Sequence, residues 1–344
     1  MDARRVRAGC RRHRLPPQVV KLLPGTGIVM LGAGDPAGVE DAEDWLRRFH
    51  ADALRRPLPW LARPFRRPWA ESRIAERGDA LRASLEALGV DSPFLRVAGG
   101  RANALGELLG GEGYVALTLA RPTAEETVGL MLQEGIERVV AMPADPHFDP
   151  HTGGRDLDAF ERAWASSGSP AANLMTLPDW GREDGYLAAI ENLCRAAFGG
   201  LREGTPPLLF LAPASPGGHP AYRAAAHAAA EELARRLAVG ADRWALAEFG
   251  TMAESPDRDV EAALAAIPRD GSRRLGLVPT GFASDRLETL HIVDRELTRR
   301  LREERTILFR VPCLNDGPEA IRALAPIIGE AARGRGWLQS EDER

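Results

Sequence analysis

The chain has 344 residues, 44% of them hydrophobic, with 45 Lys plus Arg against 49 Asp plus Glu and a formal net charge of −4. It is long enough for one large core or two medium ones, and with no global basic field it is not read as a nucleic-acid binder. No apolar run has the length of a membrane span, and Cys10, Cys194 and Cys313 show no paired spacing, which fits a reducing, cytoplasmic compartment.

The chain opens with a basic segment, residues 1–23, that begins MDARRVRAGCRRHRLPP. It lacks the apolar stretch of a signal peptide and is expected to be disordered, with a peripheral contact to acidic lipid left open. Short apolar runs then recur: GIVMLGA (27–33), YVALTL (114–119), RVVAMP (138–143), LLFLAP (208–213), WALAEF (244–249), RLGLVP (274–279) and ILFRVP (307–312). They are near-continuous rather than alternating, as strands buried on both faces of a parallel sheet are. Helical stripes lie between most of them, such as Val39, Ala42, Trp45, Leu46 and Phe49, or Leu287, Leu290, Leu297 and Leu301. The alternation predicts an α/β fold with helices on both sheet faces. Two lobes are expected, at 24–165 and 166–333, jointed at SSGSP (166–170) and followed by a polar tail at 334–344.

Four runs end in proline, at Pro143, Pro213, Pro279 and Pro312. Proline cannot donate within a central ladder, so it marks where a strand stops. Ligands of such sheets bind beyond the strands' carboxyl ends, which directs attention to the loops that follow. One of them, ADPHFDPHTGG (144–154), alternates Asp145, His147, Asp149 and His151. On an extended backbone all four would point one way and suit Fe²⁺, Mn²⁺, Zn²⁺ or Co²⁺; Pro146 and Pro150 would instead bend the loop and scatter them. Earlier, LRRPLPWLARPFRRPW (54–69) interleaves Arg with Trp60, Phe65 and Trp69. It reads either as a lip gripping a flat, acidic, aromatic ligand or as a Pro-rich surface loop with its rings turned inward.

The segment GFASDRLETL (281–290), after a strand and opening a helix, closely resembles the most distinctive signature of the ferrochelatases, class II tetrapyrrole metal chelatases that insert ferrous iron into a porphyrin. IVMLGAGDPAGVEDAEDWLRRF (28–49), SPFLRVAGGRANALGELL (92–109), VVAMPADPHFDPHTGG (139–154) and VPCLNDGPEAIRALAPII (311–328) resemble further family segments in the same order. The resemblance implies two similar Rossmann-like lobes, each a four-stranded parallel sheet, with the porphyrin in the cleft between them. It also implies a role in heme biosynthesis, a divalent metal, Fe²⁺ first, as substrate or bound ion, and no nucleotide cofactor. Oligomeric state is left open.

Metal insertion requires that the pyrrole protons leave and that the metal be presented to one face of the macrocycle. A carboxylate and an imidazole in a dry cleft can share that work. Glu288 matches the family's glutamate, but Pro213 stands where its histidine is expected, and Arg286 replaces a histidine of the Ser-Asp-His pattern. Ile292 falls where a second helix acid is usual, and Leu119 and Ala120 replace an aromatic pair. The expected catalytic residues are therefore Glu288 and, as substitute imidazole, His147. The expected substrate contacts are Trp60, Phe65, Phe282 and Arg286, and the expected metal ligands Glu288, Asp145, His147 and His151. Asp285 and Glu288 also have capping-box spacing, which would turn Glu288 back onto its own helix start. Two alternatives stand beside insertion: a homologue that holds a tetrapyrrole or metal without turnover, and a metalloenzyme redirected to the 145–151 loop.

Overall fold

The computed structural model describes residues 20–53, 66–89, 92–199, 204–215, 218–249, 257–267 and 273–340. The start of the basic segment (1–19), the lip residues 54–65 with Trp60 and Phe65, and residues 341–344 of the tail lie outside the described residues.

The apolar runs become two four-stranded sheets. The first takes β1 (Thr26–Gly32), β2 (Glu112–Leu117), β3 (Arg138–Pro143) and β4 (Leu174–Thr176) in the order β2-β1-β3-β4. The second takes β5 (Leu208–Pro213), β6 (Trp244–Phe249), β7 (Arg274–Val278) and β8 (Ile307–Arg310) in the order β6-β5-β7-β8. Every pairing is parallel. All of β1 is buried, as a strand covered on both faces must be, and this is why its sequence does not alternate.

Helices fill the connections. In the first half these are α1 (Ala42–Ala53), α2 (Arg66–Leu88), α3 (Phe94–Leu109), α4 (Ala124–Gln133) and α5 (Gly153–Ser166). The second half adds α6 (Asp184–Phe198), α7 (Pro220–Arg236), α8 (Asp257–Ala266), a π-helix at Glu288–Leu297 that runs into α9 (Thr298–Glu303), and α10 (Pro318–Gly334). Local chemistry sets several starts. Thr123 and Glu126 form a reciprocal capping box on α4, and prolines open α7 and α10 where an N–H is not needed.

The expected α/β class of two parallel-sheet lobes is the fold the chain adopts. Its details differ at the joint and at the ends. β4 lies beyond SSGSP yet pairs with β3, so the first sheet draws on residues up to Thr176. Three residues with only Met175 buried are too short to read as an apolar run. The start and the tail also close on each other. Leu22 bridges to Leu338, the Leu23 N–H donates to the Trp337 carbonyl at 2.8 Å, and the Gln339 N–H to that of Lys21 at 2.9 Å. Burial of Leu22 and Trp337 supplies the reason that these ends are held.

The two sheets share one core, which runs from Ile28, Met30 and Phe94 through Phe210 and Val278 to Ile328 of α10. Within each sheet the second strand in sequence pairs on one side of the first, and the third on the other. The loops after β1 and β3, and after β5 and β7, therefore part at a switch point, where such sheets bind ligands. The loops after β1 and β3 carry Asp35 and Asp145, while Pro213 ends β5 and Glu288 opens the π-helix that follows the loop after β7.

Candidate functional site

Arg101, an arginine the sequence reading passed over, clamps these loops together. It is fully buried on α3. Its Nε donates to the Asn315 carbonyl (3.0 Å), Nη1 to that of Ala144 (3.1 Å), and Nη2 to that of Ala283 (2.6 Å) and to Ser284 Oγ (2.8 Å). One side chain thus ties the loop after β3 to those after β7 and β8. Burial pushes its pKa down to about 10, against the pull of Asp145, so it stays cationic at neutral pH. The available signal was its register: Arg101 lies on the stripe of Phe94, Ala98, Leu105 and Leu109 that α3 buries.

The π-helix explains where Glu288 points. Its wide turns bring residues four and five apart onto one face, so Glu288 aligns with Ile292, Val293 and Leu297, all buried. The acid is drawn inward with the apolar row. The helix start carries no side-chain cap: the Asp285 N–H that Glu288 was expected to cap donates to Asn315 Oδ1 at 2.8 Å, and the Arg286 N–H to Thr289 Oγ1 at 2.9 Å. Asp285 is held separately by the Asn315 amide at 2.7 Å and by Arg310 at 3.2 Å. Glu288 itself is only 9% exposed, and its Oε2 has no hydrogen-bond partner. Burial first, then the Asp35 carboxylate, pushes its pKa up to about 7, against the pull of Arg286.

Around Glu288 the two lobes meet through charge. Asp35, from the loop after β1, accepts from the Leu287 N–H at 2.9 Å and from the Ser92 hydroxyl. Asp145, from the loop after β3, is ion-paired with Arg286, and the Arg286 guanidinium lies over the rings of Phe94 (5.1 Å) and Phe282 (5.4 Å). Two expectations change here. Phe282, expected to touch substrate, is 2% exposed and sits in the second lobe's core with Leu209 and Leu211, where its ring supports Arg286. Asp145, expected to bind metal, is committed to Arg286.

The four alternating residues do not converge, because the prolines win. Residues 144–152 run through bends and a turn, pinned where the Pro146 carbonyl accepts from the N–H groups of Trp180 (3.0 Å) and Gly181 (2.8 Å). His151 is exposed, and its N–H donates to Asp149 Oδ1 at 2.7 Å. Asp149 is buried and takes a second hydrogen bond from Ser215 Oγ, which in turn accepts from the His219 N–H at 2.8 Å. Among the described residues no group of three or more His, Cys, Asp or Glu is arranged to hold a metal ion.

His147 forms a separate, second centre. It is 3% exposed and neither ring nitrogen has a partner, so no hydrogen bond joins it to Glu288. Burial, with Arg182 nearby, pushes its pKa down to about 4. Its ring meets that of Tyr222 edge-on at 6.3 Å, and a Cβ on Gly181 would collide with it. The Tyr222 hydroxyl donates to the Pro213 carbonyl at 2.5 Å. Pro213, where the resemblance implied an imidazole, offers only its carbonyl, and Tyr222 holds it.

Comparison with known proteins bears on the family and the fold. The family model described as Ferrochelatase matches residues 25–332. The chain is 29% identical over 324 residues to the ferrochelatase of Synechocystis sp., covering 88% of this chain and 81% of that one. It is 27% identical over 321 residues to the ferrochelatase of Rippkaea orientalis, with the same coverage. Among solved structures it is similar to SirB from Bacillus subtilis with Fe³⁺, with a TM-score of 0.50 at 13% identity, over 70% of this chain and 91% of that one; that likeness bears on the fold.

Proposed function

As the chain belongs to the ferrochelatase family, we propose that a tetrapyrrole binds between its two lobes and that Glu288 accepts a pyrrole proton as a divalent metal, Fe²⁺ first, is inserted. The observation that carries this reading is the buried, half-unpartnered carboxyl of Glu288. Insertion forms metal–nitrogen bonds and releases two protons from the macrocycle. A group titrating at about 7 can take such a proton and pass it to solvent near neutral pH. His147, its pKa pushed down to about 4, is too weak a base to keep a proton near neutral pH, and the proton transfer is assigned to Glu288. No helix among the described residues is long and apolar enough to cross a membrane, and we place the reaction in the cytoplasm, as a step of heme biosynthesis.

The test is anaerobic. Purified protein is mixed with free-base porphyrin and Fe²⁺ while the macrocycle's absorption bands are followed. Catalytic conversion is expected, with a loss of about a hundredfold or more in Glu288→Gln. Conversion at the same rate in that variant would remove Glu288 from the chemistry. A second reading, a protein that holds a tetrapyrrole without turnover, is favoured by the Arg286–Asp145 ion pair and by Pro213. It would be carried by a bound porphyrin whose spectrum stays that of the free base, whereas no porphyrin binding would end both readings.

A further inference from the structure

Arg286 is the feature of the cleft that metal handling does not use. Its side chain is 12% exposed, clamped between Phe94 of one lobe and Phe282 of the other, and ion-paired with Asp145. Its Nε and the Oε2 of Glu288 are both buried and both without a partner. Asp35, Asp145 and Glu288 all act on it electrostatically. The guanidinium is the cation these acids share. A guanidinium does not give up its proton in a protein, so an incoming metal ion meets a fixed positive charge.

We propose that Arg286 sets the metal affinity of the site: a built-in cation, locked by Asp145 and two rings, that keeps divalent metal ions weakly bound beside Glu288. The proposal deepens the reading of the cleft as a metal-insertion site. It makes weak metal occupancy a property of this one side chain, and it makes opening of the Arg286–Asp145 pair the event that lets a metal ion approach.

The experiment titrates Co²⁺, read by its visible absorption, into the wild-type chain and into Arg286→Gln, Arg286→Lys and Arg286→Gln/Glu288→Gln. Arg286→Gln is expected to bind Co²⁺ at least tenfold more tightly than wild type. Arg286→Lys, which keeps the charge, should stay at the wild-type level, and the double variant should lose the gain. Equal Co²⁺ affinity in wild type and a folded Arg286→Gln overturns the proposal, as does a gain of the same size in Arg286→Lys. Should Arg286→Gln fail to fold, Glu288→Gln alone decides. It should weaken the already weak Co²⁺ binding of wild type further, whereas tight wild-type binding that Glu288→Gln abolishes would refute the built-in cation. Porphyrin binding by the same proteins, followed by absorption, is a separate readout. A chain that gains Co²⁺ in Arg286→Gln yet binds no porphyrin keeps this inference and loses the proposed function.

Discussion

Two polar centres sit at the carboxyl ends of the strands, and they handle buried charge in opposite ways. Around Glu288, the acids Asp35, Asp145 and Glu288 share one guanidinium, that of Arg286. Negative charge is in surplus, so burial and Asp35 together carry one carboxyl up to about 7. Around His147 the acid, Asp149, is satisfied by Ser215 and the His151 N–H, and burial leaves the imidazole neutral, its pKa pushed down to about 4. Desolvation disfavours the charged form in both. It brings a carboxyl into the working range near neutrality and drives an imidazole out of it. The same physical cause thus raises the carboxyl's pKa and lowers the imidazole's.

The contrast depends first on the clamp that holds both loops. Arg101→Met is expected to cost the most, about 4 kcal/mol, because it strands four buried acceptors. Urea unfolding would show it, and a loss under about 1 kcal/mol would mean the lobes are held together by other contacts.

The two titrating groups should then pull stability in opposite directions with pH. Glu288 is protonated in the folded chain over a range where the unfolded chain has released its proton. Its contribution is present below pH 4.5 and lost as pH rises to about 7. The stability of Glu288→Gln relative to wild type should therefore rise by about 3 kcal/mol between pH 4.5 and 8. His147 runs the other way. Its contribution is present above pH 6.5 and lost as pH falls through about 4. His147→Asn should gain on wild type by about 3 kcal/mol as pH falls across that window. Urea midpoints measured at intervals of pH separate the two, and parallel slopes would dissolve the distinction between the centres.

The smallest effect sharpens the comparison. Gly181→Ala places a methyl against the His147 ring and should cost about 2 kcal/mol without changing porphyrin binding. A matching loss of porphyrin binding would mean that the His147 centre belongs to the ligand site after all.

The eight strands and the loops that matter were legible to different degrees. Seven strands announced themselves as near-continuous apolar runs, and β4 did not, because three residues with one buried side chain leave no periodic signal. The place of Glu288 was legible through the resemblance alone. Its inward turn depends on a π register that spacing counted at 3.6 residues per turn does not anticipate. The 145–151 constellation misled because alternation assumes an extended chain, and Pro146 and Pro150 break that assumption. Arg286 finds Asp145 across 141 residues of sequence, a pairing that only the closed fold brings about. Arg101 could have been suspected, since an arginine on an otherwise apolar helix stripe must be satisfied by something.

The proposed proton transfer stands on the buried carboxyl of Glu288 titrating near neutral pH. Difference infrared spectroscopy of the carboxyl stretch, wild type minus Glu288→Gln across a pH series, isolates that group. A protonated-carboxyl band that disappears with a midpoint of about 7 is the expected result. A midpoint near the ordinary 4.5 of a solvated glutamate would contradict it and leave the cleft without its proton acceptor.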